Sequence, residues 1–307
     1  MLGGSGEIKK DGVDTVKCKR CGSIRGIIKY GFNKTGIQCY LCKACRSKFI
    51  PDNGFLRMQY RARIIEISWR MYYEGLSLRK IKRHLKLSYG LNPSHTTIYR
   101  WILKYSRLLK SFTDEFKLNL SNIYCADEMR LDFGGENVGE IWFWDMIDLE
   151  TRFLIASKLS EGRKIENAVE IFEECKAKTR KFPQAVITDG LSSYPPTISN
   201  VFNRPYSKPV AHLKVGPSKH MALGGMSLSN NRMERVQGTI RERYKVMRGF
   251  GALSPARTLM DGFTVYYNFF RPHQALKNRV PAKLAGIKLD YSSKGLWREM
   301  VEMATMN

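Results

Sequence analysis

The chain lacks the two sequence features that mark membrane and secreted proteins. No apolar run approaches the roughly 18 residues that a membrane-spanning helix needs, and the first residues contain no apolar secretory core. Acidic residues are also scarce, with 28 Asp and Glu against 52 Lys and Arg in 307 residues, a formal charge of +24. Hydrophobic residues still make up 43%, which excludes a disordered basic tail. We therefore expect a cytoplasmic globular protein of two or three domains that does not partner a membrane.

The positive charge is concentrated at the N-terminal end. Residues 1–113 hold 24 Lys and Arg against 6 Asp and Glu, so a net charge of +18 falls in about a third of the chain. Each Lys or Arg placed at a phosphate releases a bound counterion, so such a block favours a nucleic-acid partner. The alternative is a generically basic, soluble surface.

Five of the seven cysteines fall within 28 residues of one another. Cys18 and Cys21 form one CxxC pair, and Cys39, Cys42 and Cys45 form two overlapping pairs. Two pairs at this separation predict one structural Zn²⁺ held by four thiolates. Either Cys39 with Cys42 or Cys42 with Cys45 can supply the second pair. We favour Cys42 and Cys45, because a turn-forming dipeptide follows both Cys21 and Cys45, whereas Cys39 lies in a strand-like stretch.

The next segment has the pattern of an all-helical unit. Residues 57–74 have the spacing of an amphipathic helix, and Ser77 is placed to cap a short helix over 78–87. After a turn with Gly90, Ser94 is placed to cap a further helix. Two helices across a glycine-containing turn indicate a helix-turn-helix, although any three-helix unit has similar spacing. The second helix would enter the DNA major groove by its N-terminal end, where it carries His95, Thr96, Thr97 and Arg100.

From residue 120 the pattern changes to strands in the order β-β-β-α-β, which predicts an α/β domain. The predicted strands are 122–127, 140–147, 153–159 and 185–190, and the predicted helix is 164–180. Asp127 and Asp189 each lie at or near the end of an apolar strand. One such acid is ordinarily a strand terminator, but two in a protein expected to bind phosphates suggest oxygen ligands for a hard cation such as Mg²⁺.

A third acid, Glu234, lies in a predicted helix that runs to about residue 247. On a helical wheel Arg241 and Lys245 each lie within roughly 20° of Glu234, beside the apolar stripe. Spacing alone favours a solvated glutamate here over a functional one.

These motifs, in this order, resemble those of the DDE transposases of prokaryotic insertion sequences. The catalytic domain of that family has the RNase H-like fold of retroviral integrases. The resemblance covers roughly residues 15–285. The similar segments are Cys18–Cys21, Gln38–Phe49, Leu76–Tyr105, Ala126–Glu128, Thr188–Gly190 with Ser193–Tyr194, Asn230–Glu234, Arg241 and Tyr267–His273.

The resemblance implies an RNase H-like catalytic domain, with a mixed sheet flanked by helices, behind a zinc ribbon and an all-α helix-turn-helix domain. The implied division is 1–14 flexible leader, 15–52 zinc ribbon, 53–113 helix-turn-helix domain, 114–285 catalytic domain and 286–307 C-terminal tail. It also implies two Mg²⁺ or Mn²⁺ ions held by Asp127, Asp189 and Glu234. These ions would serve in-line displacement at phosphorus.

The implied enzyme binds the terminal inverted repeats of its element, frees 3′-OH ends and joins them to target DNA. Arg241 and Lys245 would hold DNA phosphates beside the metals. Joining two ends requires at least a homodimer on DNA, and a transposase of a prokaryote would be associated with the nucleoid. The chain has no nucleotide-binding GxxxxGK[ST] motif, which agrees with a reaction that needs no ATP.

Two departures from the family pattern stand out. Asp189 and Glu234 are separated by 44 residues, more than is usual, and we place the extra length in 200–225. Cys39 stands where the family often has a basic residue. Two rival functions are a nuclease of the RNase H type that never joins strands and a non-enzymatic DNA-binding regulator. The presence of all three acids argues against the regulator.

Overall fold

The structure is a computed structural model that describes residues 16–34, 36, 38–131, 140–203, 208–215, 221–223, 226–228, 231–247 and 252–306. The predicted leader, residues 1–14, lies outside these ranges, as do parts of the 200–225 segment. Within these ranges, every helix is too short or too polar to cross a membrane.

The N-terminal unit is a small antiparallel sheet with little apolar core. Its strands are β1 (Ile27–Phe32), β2 (Gln38–Cys42) and β3 (Lys48–Phe49), in that spatial order. All of β1 after its first residue is exposed. Because so little surface is buried, a cross-link such as the predicted metal is the natural source of stability for this unit.

Three helices follow, namely α1 (Ala62–Tyr73), α2 (Leu78–Tyr89) and α3 (His95–Asp114). The predicted caps are present: Ser77 accepts a hydrogen bond from the backbone of Lys80, and Ser94 accepts one from Thr97. α2 ends at Gly90, whose φ of +66° suits glycine. α1 begins five residues later than predicted, because Arg57 adopts a φ of +61° and Arg61 is extended.

A five-stranded mixed sheet forms the centre of the molecule. Its strands are β4 (Ile123–Leu131), β5 (Ile141–Asp148), β6 (Leu154–Glu161), β7 (Ala185–Thr188) and β8 (Ala211–Lys214). The spatial order is β6-β5-β4-β7-β8, with the first three antiparallel and the last two parallel to β4. The predicted RNase H-like fold, a mixed sheet flanked by helices, is confirmed.

Helices provide the crossovers that parallel strands require. α4 (Ile165–Thr179) connects β6 to β7, and α5 (Tyr194–Phe202) lies between β7 and β8. A two-stranded hairpin, β9 (Met221–Leu223) with β10 (Met226–Leu228), precedes α6. The remaining helices are α6 (Asn231–Met247), α7 (Leu253–Phe269), α8 (Pro281–Leu284) and α9 (Leu296–Met306), with a 3-10 turn at Gln274–Leu276.

The helical unit and the sheet share one continuous core. α3 packs against both α7 and α9, and α7 also packs against β6. The segment 286–307, predicted as a tail, therefore contains a packed helix. Its apolar spacing explains this difference: Trp297, Met300 and Val301 lie on one face of α9 and are fully buried. A polar stretch precedes the helix and hides this short apolar pattern in the sequence.

Replacing Trp297 with alanine is expected to lower the free energy of unfolding by about 3–5 kcal/mol. The indole is fully buried and contacts the rings of Phe55, Trp69 and Tyr105, with centroids 5.1 to 6.0 Å away. Urea denaturation checks this value. Met303→Ala is the matched control, because Met303 lies on the same helix but is 37% exposed. Equal small effects of both substitutions would show that α9 does not contribute to the core.

Candidate functional site

Three carboxylates meet where β4 passes the end of β7. One oxygen from each of Asp127, Glu128 and Asp189 lies within 4.8 Å of the other two. β4 pairs with β7 only from Ile123 to Cys125, so both acids of β4 lie beyond that pairing. Asp189 is the first residue after β7 and therefore lies beside them. The structure thus brings the predicted pair, Asp127 and Asp189, together.

Asp127 lies in the middle of its strand, whereas the sequence pattern suggested the end. β4 continues to Leu131 because it pairs with β5 from Tyr124 to Leu131. Asp127 is only 8% exposed, and its Oδ1 accepts a hydrogen bond from the backbone N–H of Glu128 at 2.9 Å. A carboxylate placed this deeply in a sheet needs compensation for the loss of water, which points to a ligand or an ion pair.

The loop after β7 fixes the position of Asp189. Its Oδ1 accepts a hydrogen bond from the backbone of Leu191 at 3.0 Å, and the Thr188 hydroxyl accepts one from Gly190 at 3.1 Å. Gly190 has a φ of +96°, a conformation that other residues rarely adopt. The Lys214 side chain lies against the bare Cα of this glycine, which places a cation beside the loop.

Glu128 also approaches the other two acids of the group. Neighbouring strand residues do point to opposite faces, but β7 ends here, and beyond its end side chains from both faces can approach. The Glu128 carboxylate accepts hydrogen bonds from the Arg163 guanidinium and the Tyr194 hydroxyl. Burial raises the pKa of Glu128, and these two partners oppose the increase.

We call Asp127, Glu128 and Asp189 the acidic cluster. Arg163 links two of its members, Glu128 and Asp189. It forms the ion pair with Glu128, and its guanidinium nitrogen lies 3.8 Å from Asp189 Oδ2. Its guanidinium also lies 4.8 Å from the centre of the Trp142 ring. The cation offsets part of the repulsion among the carboxylates.

A fourth carboxylate lies next to the cluster and was not predicted. Asp145 on β5 is paired directly opposite Asp127 on β4, so the two side chains share a face of the sheet. Asp145 is 1% exposed, and its Oδ2 has no hydrogen-bond partner among the described residues. Burial and the charge of Asp127 raise the pKa of Asp145 well above its usual value. From α6, Gln237 Nε2 approaches Asp145 Oδ1 at 3.5 Å.

The structure places Glu234 on α6, one turn before Gln237, but outside the group of three carboxylates. Glu234, Arg241 and Lys245 are exposed, whereas Met233, Val236 and Ile240 of the predicted apolar stripe are buried. Met247, the last residue of that stripe, has no described side chain. The α6 face that carries Glu234 therefore lies beside the buried Gln237 face and is open to solvent.

The donor set of the acidic cluster fits a hard divalent cation. All available donors are carboxylate oxygens, which Mg²⁺ and Mn²⁺ prefer. The buried Oδ2 of Asp145 adds an unsatisfied polar atom beside the group. The three carboxylates repel one another, and a bound divalent cation would offset this repulsion further than Arg163 alone does.

The four predicted zinc ligands also come together. The sulfurs of Cys18, Cys21, Cys42 and Cys45 all lie within 4.8 Å of one another, and Cys39 is not a member of this group. The Cys18 and Cys45 sulfurs are 3.5 Å apart, and those of Cys21 and Cys42 are 3.6 Å apart. Four sulfurs at Zn–S distances of about 2.3 Å in a tetrahedron would be about 3.8 Å apart, so the thiol geometry fits Zn²⁺.

Matching turns shape the two thiol pairs. The backbone N–H of Cys18 donates to Ser23 at 2.8 Å, and that of Cys42 donates to Ser47 at 3.0 Å. Gly22 and Arg46 take equivalent left-handed positions, with φ of +71° and +56°. A backbone hydrogen bond from Cys21 lowers the pKa of the Cys18 thiol to about 6, against the opposing effect of burial. The pKa of the neighbouring Cys45 is raised instead, because its backbone hydrogen bond from Ser47 is outweighed by burial and by the other three thiols. A thiol with a pKa near 6 is mostly thiolate at neutral pH, and the thiolate is the form of cysteine that binds metal.

The predicted DNA-contacting residues lie in the first turns of α3. His95, Thr96 and Arg100 are exposed, as a groove contact requires. Thr97 is half-buried, and both its backbone N–H and its hydroxyl are hydrogen-bonded to Ser94, at 3.0 and 2.9 Å. Thr97 therefore serves the helix cap first, and the exposed surface of this end consists of the other three residues.

The segment that carries the acidic cluster also matches a known family in sequence. A family model described as a DDE domain matches residues 123–273, from the start of β4 to just beyond α7. No curated protein sequence matches the chain. Among solved structures, the chain is similar to a simian T-cell lymphotropic virus intasome in complex with PP2A regulatory subunit B56 gamma, determined by cryoEM. The identity is 9% and the TM-score 0.40, over 74% of this chain and 73% of the other.

Proposed function

Residues 123–273 match the DDE domain family, and from this match we propose that the protein is a DNA transposase. Its DDE domain belongs to a family of enzymes that transfer nucleotidyl groups and act in transposition. The proposed activity is cleavage at the terminal inverted repeats of an insertion sequence, followed by joining of the freed 3′ ends to target DNA. The observation that carries the proposal is the acidic cluster of Asp127, Glu128 and Asp189 inside the matched segment.

The residues that would hold Mg²⁺ or Mn²⁺ are Asp127, Asp189 and Glu234. When bound, such ions lower the pKa of an attacking water or hydroxyl and stabilise charge on the leaving oxygen. Glu128 is held by Arg163 and Tyr194, which suits a residue that shapes the site rather than one that must move toward a ligand. Arg241 and Lys245 are exposed on the Glu234 face of α6 and would hold DNA phosphates.

The proposed reaction has two displacement steps at phosphorus. In the first, a water oxygen bonds to the phosphorus, the P–O3′ bond breaks, and the released 3′ oxygen takes a proton. In the second, this 3′-OH oxygen bonds to a phosphorus of the target strand, whose own P–O3′ bond breaks as its 3′ oxygen takes up the proton. One phosphodiester replaces another in the second step, so the joining needs no ATP.

The N-terminal units would supply DNA recognition. The Cys18, Cys21, Cys42 and Cys45 thiolates would hold one structural Zn²⁺, and the exposed end of α3 would contact bases and phosphates. A homodimer or larger assembly on DNA would bring two element ends to one target, and the enzyme would work at the nucleoid.

The experiment that tests the proposal is a strand-transfer assay with the full chain and Mg²⁺. Labelled duplexes carry the short inverted repeats that flank the gene, and a plasmid serves as the target. The expected products are a cleaved labelled duplex and a joined DNA of higher mass, in which the labelled end is attached to the plasmid. Cleavage without any joined product would instead identify a nuclease of the RNase H type, and binding without cleavage would identify a regulator.

A further inference from the structure

A cleft of about 630 Å³ lies on the other side of α6 from the buried Gln237 face. It is formed by α6, the turn between β5 and β6, and the segment that follows α7. Four arginines line it, and they come from all three elements: Arg152, Arg232, Arg235 and Arg271. Among the described residues, Glu242 is the only acid in its lining. We call the four arginines and the space between them the arginine cleft.

Among the described residues, no carboxylate forms an ion pair with any of the four guanidinium groups. Burial lowers the pKa of Arg152, and the charges of Arg232 and Arg235 lower it further against the opposing effect of Tyr267. An anion bound between these arginines would relieve their mutual repulsion, so its binding is favourable.

The arginine cleft is built by specific backbone contacts rather than by chance proximity on the surface. In the turn between β5 and β6, the buried Asp148 accepts hydrogen bonds from the backbone and hydroxyl of Thr151, at 2.8 and 2.7 Å. The next residue, Arg152, takes a φ of +58°, which is costly for a residue other than glycine. Arg232 is held by a hydrogen bond to the Leu149 carbonyl.

The remaining side of the arginine cleft comes from the Tyr267–His273 motif at the end of α7. The proposed reaction assigns this motif no role. The backbone N–H of Arg271 donates to the Tyr266 carbonyl at 3.0 Å, which turns the chain sharply at the end of α7. The His273 ring stacks edge-on against Tyr267 at 4.6 Å and is 7% exposed. Its Nε2 has no hydrogen-bond partner among the described residues, so this wall carries an unsatisfied polar atom.

We propose that the arginine cleft binds a phosphodiester group of the DNA backbone. Guanidinium groups match phosphate oxygens with paired, charge-assisted hydrogen bonds. A cleft that offers four of them, from three separate elements, suits one or two phosphates. Because α6 carries both this cleft and Glu234 on different faces, the bound strand would be held against the helix that borders the acidic cluster. The choice of DNA as the source of the phosphate rests on the proposed function.

The test is the salt dependence of DNA binding by the full chain without added Mg²⁺. The variants are Arg235→Gln and Arg271→Gln, and the matched control is Arg257→Gln, an exposed arginine of α7 outside the cleft. Fluorescence anisotropy of a labelled duplex is measured over a range of KCl concentrations. For each cleft variant, the slope of log K against log salt is expected to become shallower by about 0.9 for every phosphate that the variant no longer binds. The loss of one phosphate contact corresponds to about eightfold weaker DNA binding at 0.1 M salt.

Arg235→Lys distinguishes the removal of charge from disturbed folding, because a lysine retains the charge and is expected to restore the slope. Unchanged slopes in both cleft variants would overturn the proposal, and so would an equal decrease in Arg257→Gln. Strand transfer by the wild-type chain is assayed in parallel. A chain that joins DNA but shows no cleft effect refutes only the arginine cleft, whereas a cleft effect without cleavage or joining refutes only the proposed enzyme.

Discussion

Replacing Asp189 with asparagine is expected to reduce DNA strand cleavage about a thousandfold. A carboxylate that holds catalytic metal ions secures several kcal/mol of transition-state stabilisation, and each 1.36 kcal/mol is a factor of ten in rate. The substitution is conservative in shape. Asparagine keeps the oxygen that accepts the hydrogen bond from Leu191, so the loop after β7 retains its geometry while the charge beside Asp127 is removed.

The measurement is the rate of cleavage of a labelled element end with Mg²⁺, together with DNA affinity without Mg²⁺. Affinity is expected to stay within a factor of about two, since Asp189 contributes no positive charge. Glu173→Gln is the matched control. Glu173 is more exposed than Asp189, has one ion pair, at 3.6 Å to Lys176, and lies on α4 outside the cluster. Cleavage by Asp189→Asn at the wild-type rate would remove Asp189 from the site.

The second large effect is expected at Cys42. Cys42→Ser should abolish zinc binding and unfold the small N-terminal sheet, because structural Zn²⁺ contributes about 10–16 kcal/mol to comparable small domains. Cys42 is fully buried, and its sulfur lies 3.6 Å from that of Cys21. The five-stranded sheet has its own apolar core, so its thermal transition should change little.

Zinc content by atomic emission and limited proteolysis of the N-terminal region report the outcome. Cys39→Ser is the matched control, since it removes a thiol three residues away on the same strand, β2, that lies outside the four-sulfur group. Full zinc content and protease resistance are expected for this control. Should Cys39→Ser abolish zinc binding while Cys45→Ser retains it, the assignment of Cys45 as a zinc ligand would be wrong.

Local sequence signals predicted the elements whose formation depends on nearby residues. The caps at Ser77 and Ser94, the glycine after α2 and the short apolar strand before Asp189 all require only a few neighbouring residues. The two cysteine pairs belong to the same class, because each turn is fixed by its own backbone hydrogen bonds.

The fourth carboxylate could not be predicted in this way. An acid at position 145 within Trp142–Met146 does signal a buried charge, but its position opposite Asp127 depends on the register between two strands. Register is set by the packing of the whole sheet, which no window of residues contains. The approach of Glu128 to Asp189 similarly depends on where β7 ends relative to β4.

The packing of α3 against α7 and α9 has a geometric consequence for the proposed enzyme. The 20 residues of α3 span about 30 Å, and one continuous helix carries both the exposed first turn and the buried Leu109 and Phe112 near its other end. At about 3.4 Å per base pair, this length equals about nine base pairs. If the first turn of α3 recognises an element end, the length of α3 fixes the distance between that contact and the core into which the helix packs. The number of base pairs between the recognised sequence and the cut is then a property of the protein rather than of the DNA.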